Sequence, residues 1–491
     1  MAGIGFQLQK LFKEDHYSSR LKAYGFSLMV TSGPWLTIIT AITLTQWLIR
    51  NTLAISFETA SLFNITLAYC FIFSQVLFSI QQLVMTRYVA NELFGKRYHK
   101  LFPAFLGLTK TSVLTGTVPA ILFVIMSSLP FYFEVLTIIF FYIMLLNWNC
   151  FLFVSALRNY KKIAWSFATG GLIAGLGVFL FTRFVSFQTL STVEASAYLL
   201  LPFIFGMTTT LLMIFSSIAR AFEVKSCEYP LSYLQTFDQY PMFVGIGFFY
   251  TSGLWIANWV IWSGEGSSEL YSFFRYHTVY DTAVFWSFLS IIPMLMYFVI
   301  AVETRFYDKY RTFYGFINKG GSLKQIETSK SQMQRVLKQM LYRMLRNQAL
   351  ITGLLILLAG WIGNTIHMDG EFVSIFRLTL LGAFANAGML VFQLLLLYFE
   401  DHKGAFYTSL IFFFGILLLT IALLPLGTGA YGLSFSIGAA SAFLFAGYRL
   451  AKLLQTIDAH AFQNSHPPEN GKFFTILTKR LYQRDNDTFS N

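Results

Sequence analysis

Apolar runs of about 20 residues, the length a helix needs to cross the hydrocarbon core of a bilayer, recur along the whole chain. They lie at Tyr24–Leu48, Leu62–Leu83, Phe105–Met126, Val135–Phe153, Ile163–Phe181 and Ala197–Ile218. A second set follows at Met242–Trp262, Val279–Val302, Ala349–Ile366, Phe376–Tyr398, Phe406–Leu426 and Tyr431–Leu450. Backbone polar groups in lipid must be satisfied within a helix or a closed barrel, and a barrel would need short alternating segments instead of long runs. The pattern therefore predicts an all-α polytopic membrane protein of about twelve transmembrane helices. Composition agrees: 56% of the 491 residues are hydrophobic and 12% charged. That is about half the charged share of a soluble domain, which excludes a water-soluble enzyme and a disordered chain.

Charge orients the bundle. With both termini in the cytoplasm, all but five of the 35 Lys and Arg residues fall in inner segments, as the positive-inside rule requires. Arg50, Arg183, Arg275 and Arg377 lie at outer ends, and Lys110 lies within a span. A miscounted helix would scramble this asymmetry. The net charge of +12 is thus a topology signal, with attraction to anionic lipid as its corollary. Cys70 and Cys150 sit in apolar runs and Cys227 in a polar connection, with neither disulfide nor metal-ligand spacing. No cleavable leader is read at the start, where Lys10, Lys13, Glu14 and Asp15 make a mixed polar stretch; the first span is expected to act as the insertion signal.

The chain repeats itself. Gly25, Thr31, Ser32, Gly33 and Trp35 return as Gly245, Thr251, Ser252, Gly253 and Trp255 at a constant offset of 220 residues, and Thr86-Arg87-Tyr88 returns as Thr304-Arg305-Phe306 at 218. Six spans per repeat make a parallel duplication, related by a pseudo-twofold along the membrane normal. The expected organisation is an N-terminal six-helix lobe over 1–222, a linker over 223–241, a C-terminal six-helix lobe over 242–454, and a basic cytoplasmic tail over 455–491. Two such lobes are expected to enclose a cavity whose exposure alternates. Within the cytoplasmic segment 303–346, Ser322 and Gln325 suit a capping box. Ile326, Met333, Val336, Leu337, Met340, Leu341 and Met344 form an apolar stripe, and Lys324, Lys330, Arg335, Lys338, Arg343 and Arg346 a basic face. This predicts a helix lying at the membrane surface, as an elbow or as a docking surface for a cytoplasmic partner. Lys472, Phe473, Phe474, Lys479 and Arg480 repeat the theme in the tail.

Charge within lipid is costly, so ionisable groups inside spans are functional candidates. Lys110 either snorkels its stem to the inner headgroups or lines the cavity. Glu134 and Asp281, near the outer starts of spans four and eight, are either interfacial carboxylates or parts of an outer gate pairing with Arg275 or Arg377. The neutral polar candidates for the path are Asn64, Gln75, Asn147, Asn258 and Asn386, with Gln81, Gln82, Asn149 and Gln393 beside them. Interhelical hydrogen bonding accounts for such residues as well; together they suit a hydroxyl-rich solute better than a lone ion. Trp35 and Trp255, at equivalent repeat positions, offer aromatic faces to sugar rings or pack against Gly33 and Gly253. Gly171 and Gly175 read as a close helix contact.

Catalytic signatures are missing from the reading. No Walker sequence occurs, and Asp485-Asn486-Asp487 imitates a metal–nucleotide-sugar motif only in a polar tail. His99, His277, His367, His402, His460 and His466 fall in connections without metal-ligand spacing. No catalytic, cofactor or metal residues are expected, and no enzyme.

Three blocks carry a resemblance: Met1-Ala2-Gly3-Ile4-Gly5-Phe6 with Leu8, Lys10 and Leu11; Ser32-Gly33-Pro34-Trp35; and Glu303-Thr304-Arg305-Phe306-Tyr307-Asp308 with Tyr310 and Arg311. In these the chain resembles the PelG family, membrane transporters of the Pel exopolysaccharide system. Gln7 and Gln9 stand where that family carries charge. The resemblance implies a fold shared with multidrug, oligosaccharidyl-lipid and polysaccharide flippases. It implies transport of an N-acetylgalactosamine-rich polymer across the bacterial cytoplasmic membrane. It also implies a cytoplasmic glycosyltransferase partner, PelF, and membrane partners PelD and PelE, with Glu303, Thr304, Arg305, Asp308 and Arg311 in the region of contact. Competing readings are a lipid-linked oligosaccharide flippase, a cation-coupled antiporter, and a scaffold that does not transport.

Overall fold

The computed structural model describes residues 56–156, 160–184, 189–222, 230–368, 370–463 and 473–478. The first predicted span, with Trp35 and the first copy of the glycine-threonine-serine-tryptophan repeat, lies outside the described residues. The other eleven predicted spans are helical. We label the helices α1 Phe57–Phe94, α2 Leu101–Met126, α3 Phe131–Ala156, α4 Tyr160–Phe184, α5 Thr192–Ala221, α6 Gln235–Gln239 and α7 Pro241–Ile261. There follow α8 Thr278–Leu289, α9 Ile292–Ala301, α10 Tyr307–Asn318, α11 Leu323–Thr365, α12 Gly370–Tyr398, α13 His402–Leu423, α14 Leu433–Gln455 and α15 Ile457–Gln463. Among the described residues, ten helical stretches are long and apolar enough to cross a bilayer, and Trp165–Phe181 is a shorter apolar one.

The described residues form two compact units. The first holds residues 56–251, 268–276 and 473–478. In it α1 packs on α3 and α5, α3 on α5, and α4 on α5. Ser56 caps α1, and Ser191 with Glu194 forms a capping box on α5. The α4–α5 approach depends on Gly170, where a Cβ would stand 2.0 Å from Thr210 Oγ1 and 2.6 Å from the Gly206 carbonyl. The close contact is therefore not at Gly175, where a Cβ would meet nothing.

A small antiparallel ribbon, β1 Ser268–Leu270 and β2 Phe274–Tyr276, belongs to this unit and was not expected from the sequence. Phe274 is buried against Tyr69 and Phe123, and the Tyr69 hydroxyl donates to the Arg275 carbonyl (2.8 Å) and accepts from its N–H (2.9 Å). The later part of the expected linker is also docked here. A Cβ on Gly107 would lie 2.0 Å from the Pro230 carbonyl, and Tyr233 is fully buried. The tail reaches the same place: Thr475 donates N–H and hydroxyl to Asp238, Gln235 donates to Thr478, and Phe474 lies on Phe237.

The second unit holds residues 252–267 and 277–463 among those described. The deeply buried α12 is its centre, packing against α14, α8, α11 and α13. One face of α12 carries Thr379, Asn386 and Gln393 at seven-residue spacing, all buried. Thr379 shares a hydrogen bond with Ser287 (2.7 Å), and Gln393 donates to Ser409 (2.7 Å).

Two expectations change here. The segment 323–346 does not lie on a membrane surface as a separate helix: α11 runs unbroken for 43 residues from its Ser322–Gln325 capping box into the ninth span. Its stripe of Met333, Leu337, Met340 and Met344 is buried within the protein, and α10 packs along it. Lys330 pairs with Asp458, and Gln334 donates to the Leu454 carbonyl (2.6 Å). The eighth span, expected as one helix, is broken between Leu289 and Ile292 and passes through a π turn at Val302–Phe306.

Asp401 caps α13 through Gly404 N–H (3.0 Å) and receives two N–H bonds from Arg449, at 2.6 and 3.0 Å. Burial alone would raise this carboxyl, but the Arg449 hydrogen bonds and charge, with the Gly404 N–H, hold it below the usual carboxylate value. The stabilisation is then present above the unfolded pKa of about 3.9 and is lost as pH falls through the folded value. Asp401→Asn is expected to cost about 2 kcal/mol at neutral pH. Thermal unfolding of the purified protein between pH 7 and pH 3 should show the gap to wild type closing below about pH 4.

Candidate functional site

In the second unit the structure joins a path candidate to a gate candidate. Asn258 of α7 donates Nδ2 to Asp281 of α8 at 2.7 Å. Trp262 Nε1 reaches both carboxylate oxygens (3.1 and 3.0 Å), and the His277 main-chain N–H adds a fourth contact at 3.0 Å. His277 caps α8, accepting the Tyr280 N–H on Nδ1 (3.1 Å), with its ring edge-on to Tyr431. Gly266, at φ +77°, passes so close that a Cβ would stand 2.8 Å from His277 Nε2; the left-handed turn that glycine alone adopts readily brings the loop over the ring. Asp281 is thus a carboxylate within a span, bound by neutral donors.

The two arginines named for an outer gate have other partners in the structure. Arg275 pairs with Glu269 across the ribbon (2.9 Å), and Arg377 donates to the Ile356 carbonyl (3.3 Å). The carboxylate's oxygens are filled by groups closer in the chain, which needed no distant arginine. Glu134 is buried in the first turn of α3. Trp255 is half-buried and lies edge-on to Phe288 at 6.1 Å. Asn386 is buried with its Oδ1 unpartnered.

The first unit separates its polar residues by role. Asn147 donates to the carbonyls of Ile143 (2.9 Å) and Met207 (3.2 Å), tying α3 to α5. Ser112 donates to Asn149. Gln81 accepts from Thr111 (2.9 Å), whose hydroxyl also meets Tyr233 at 2.6 Å. Asn64 and Gln75 are half-buried on α1. Lys110 is exposed on α2, without an ion-pair or hydrogen-bond partner among the described residues. Leu114, Val118 and Ile121 continue its face of the helix.

The motif Glu303–Arg311 occupies the π turn and the start of α10. The Glu303 side chain lies outside the described residues. Thr304 donates its hydroxyl back to Ile300 (2.7 Å), as Thr86, its repeat mate, does to Gln82 (2.7 Å). Phe306 is buried on Tyr310, Tyr398 and Phe399, as Tyr88 is buried on Tyr233. Arg305, Asp308 and Arg311 are exposed. Sequence reasoning passed over Trp262, read His277 only as a histidine in a connection, and passed over Tyr233. The first two flank a polar connection beside Asp281, and that adjacency was the available signal.

Known proteins share this fold. An outward-facing multidrug-resistance MATE transporter of the MOP superfamily matches 89% of this chain and 97% of its own length, with TM-score 0.56 and 12% identity. A MATE structure in the bent conformation matches 94% and 99%, with TM-score 0.56 and 12% identity. A MOP-superfamily transporter from Pyrococcus furiosus, whose binding pocket is described as of reverse polarity, matches 88% and 95%, with TM-score 0.53 and 11% identity. At such identities the likeness is one of fold: that of a multi-pass membrane transporter of MATE type. No curated protein matches the chain. The PelG family of exopolysaccharide exporters (EPS-E) matches residues 1–462, and the chain belongs to it. The protein is a polysaccharide transporter.

Asn258→Leu removes one donor from Asp281 and leaves the carboxylate under-bonded in an apolar setting. It is expected to lower stability by about 2 kcal/mol and polymer export with it. Asn258→Asp adds a like charge and should be worse. Melting temperature and secreted polymer, measured side by side, check both.

Proposed function

We propose that this transporter carries an N-acetylgalactosamine-rich, Pel-type polymer across the bacterial cytoplasmic membrane, with both termini in the cytoplasm and no ATPase of its own. The observation that carries the reading is the family match across residues 1–462, which includes all three sequence blocks. The chemistry of the interior supports it: apart from Lys110, Glu134, Asp281 and few others, the spans offer amides and hydroxyls, which suit a neutral hydroxyl-rich cargo. Lys110 is proposed as a path residue because it is a cation on an apolar helix face without a partner among the described residues. A glycosyltransferase of the PelF type and membrane proteins of the PelD and PelE types are proposed partners at the exposed Arg305, Asp308 and Arg311.

A second reading has its own observation. Asp281, bonded to Asn258, Trp262 and the His277 main chain, is a carboxylate that a cation-coupled transporter of the same fold would use. Asp281→Asn with full export would reject it.

Clean deletion should abolish secretion of the GalNAc-containing polymer, and complementation should restore it. Lys110→Ala is expected to reduce secretion about tenfold, the loss of one good charged contact, while leaving the protein in the membrane at normal abundance. A scaffold would keep secreting with Lys110→Ala, and continued secretion after deletion would end the export reading.

A further inference from the structure

The eighth span is three pieces. α8 ends at Leu289, α9 begins at Ile292, and Pro293 stands in its first turn. Proline has no N–H for the Leu289 carbonyl, and its ring crowds that carbonyl. The next N–H, from Met294, turns to Ile291 at 3.1 Å, so Ser290 loses its helical partner too. Gln348 of α11, only 1% exposed, donates Nε2 to the Ser290 carbonyl at 3.0 Å. At its other end α9 runs into the π turn at Val302–Phe306. A ten-residue piece of helix therefore has non-α geometry at both ends.

The internal repeat supplies a comparison. Thr304-Arg305-Phe306 answers Thr86-Arg87-Tyr88, 218 residues earlier, and the same offset sets Gln75 against Pro293. α1 passes through Gln75 as one unbroken helix of 38 residues. One repeat keeps a rod where the other breaks it, so the break is no requirement of the shared architecture.

We propose that Ser290–Ile292 is a working hinge of the transport cycle, and that Gln348 is the positioning residue that keeps it usable. Hinges are a few residues at element ends that absorb the backbone change. In an apolar interior, such a break leaves a carbonyl that must find a partner. A side-chain amide on a long stem provides one without fixing the angle between α8 and α9, as a backbone ladder would. The motif Thr304–Phe306 lies beyond α9 and Asp281 lies on α8, so the hinge lets the inner motif and the outer carboxylate move separately. The inference rests on the export reading.

The test uses the full chain with two readouts, melting in nanodiscs and polymer export in cells. Gln348→Leu leaves Ser290 unpartnered and should lower melting by about 3 °C and export by about tenfold. Pro293→Ala restores an N–H and lets the helix close on Leu289 and Ser290. The double variant Gln348→Leu/Pro293→Ala should then melt like wild type, yet it and Pro293→Ala alone should still export about tenfold less. Wild-type export by either would reduce the break to a defect that Gln348 plugs and would overturn the proposal. So would a Gln348→Leu variant changed in neither readout. Spin labels at Thr282→Cys and Thr312→Cys, with Cys70, Cys150 and Cys227 replaced by serine, give a measurement independent of the double variant. More than one distance is expected with Pro293 and one with Pro293→Ala; a single shared distance overturns the hinge. Failure of the export reading is separate, since polymer secretion would then not depend on the wild-type chain at all.

Discussion

A carbonyl in an apolar interior must be bonded by something within the protein, and this rule explains more of the second unit than any charge does. At three places where a helix ends or breaks there, a side chain from a neighbour arrives at the exposed carbonyl. Gln348 serves Ser290, Gln334 serves Leu454, and His460 meets Phe399 at 2.9 Å. Arg377 reaches Ile356 on α11, within a helix instead of at its end. These contacts link α11 to α8 and α14, and α15 to the end of α12. They act as tertiary glue because a helix terminus offers acceptors that its own backbone cannot fill. The pair of buried Asp401 with half-exposed Arg449 belongs to the same scheme, since Asp401 also closes the first turn of α13.

The spans themselves were legible because length and apolarity suffice to define them. What the sequence obscured were the places where solvent changes and secondary structure does not. Between Ser322 and Gly353 there is neither glycine nor proline, so nothing in the backbone stops α11 when its exposed face turns from Lys338, Arg343 and Arg346 to Leu350, Leu354 and Trp361. Hydropathy reports a boundary there; the helix does not. The reverse holds at Pro293, a breaker sitting inside a run whose hydropathy is uninterrupted. The ribbon at 268–276 escaped because its turn uses Tyr271 and Ser272 at positive φ, residues that do not advertise a left-handed turn as glycine or asparagine would.

The candidate site was half readable. Asn258 and Asp281 were each singled out for being polar inside lipid, and they prove to touch. Their partners were not readable, because opposite charge at the membrane's outer edge points to arginines, whereas local geometry favours donors a few residues away. His277 sits four residues before Asp281, so one turn of helix brings its N–H to the carboxylate. Trp262 closes the other side from the end of α7. Long-range charge loses to a neighbour that costs no further ordering.

Four amides of the interior follow one pattern, and Asn149, which accepts from Ser112 and leaves Nδ2 unpartnered, shows the reverse. Asn147 and Gln393 direct their N–H groups to protein acceptors, and their carbonyl oxygens are buried without a partner; Gln348 and Asn258 do the same. A carbonyl with an empty lone pair is tolerated more readily than an orphaned N–H, so these amides are arranged as donors to other parts of the protein. Residues used this way hold helices in register, and exchanging them should disturb the fold before it disturbs recognition. Gln82 on α1 and Lys110 on α2 are polar groups that stand on exposed helix faces instead. The distinction is physical: a buried donor already satisfied by protein gains nothing from a further acceptor, whereas an exposed one keeps its hydrogen-bonding capacity.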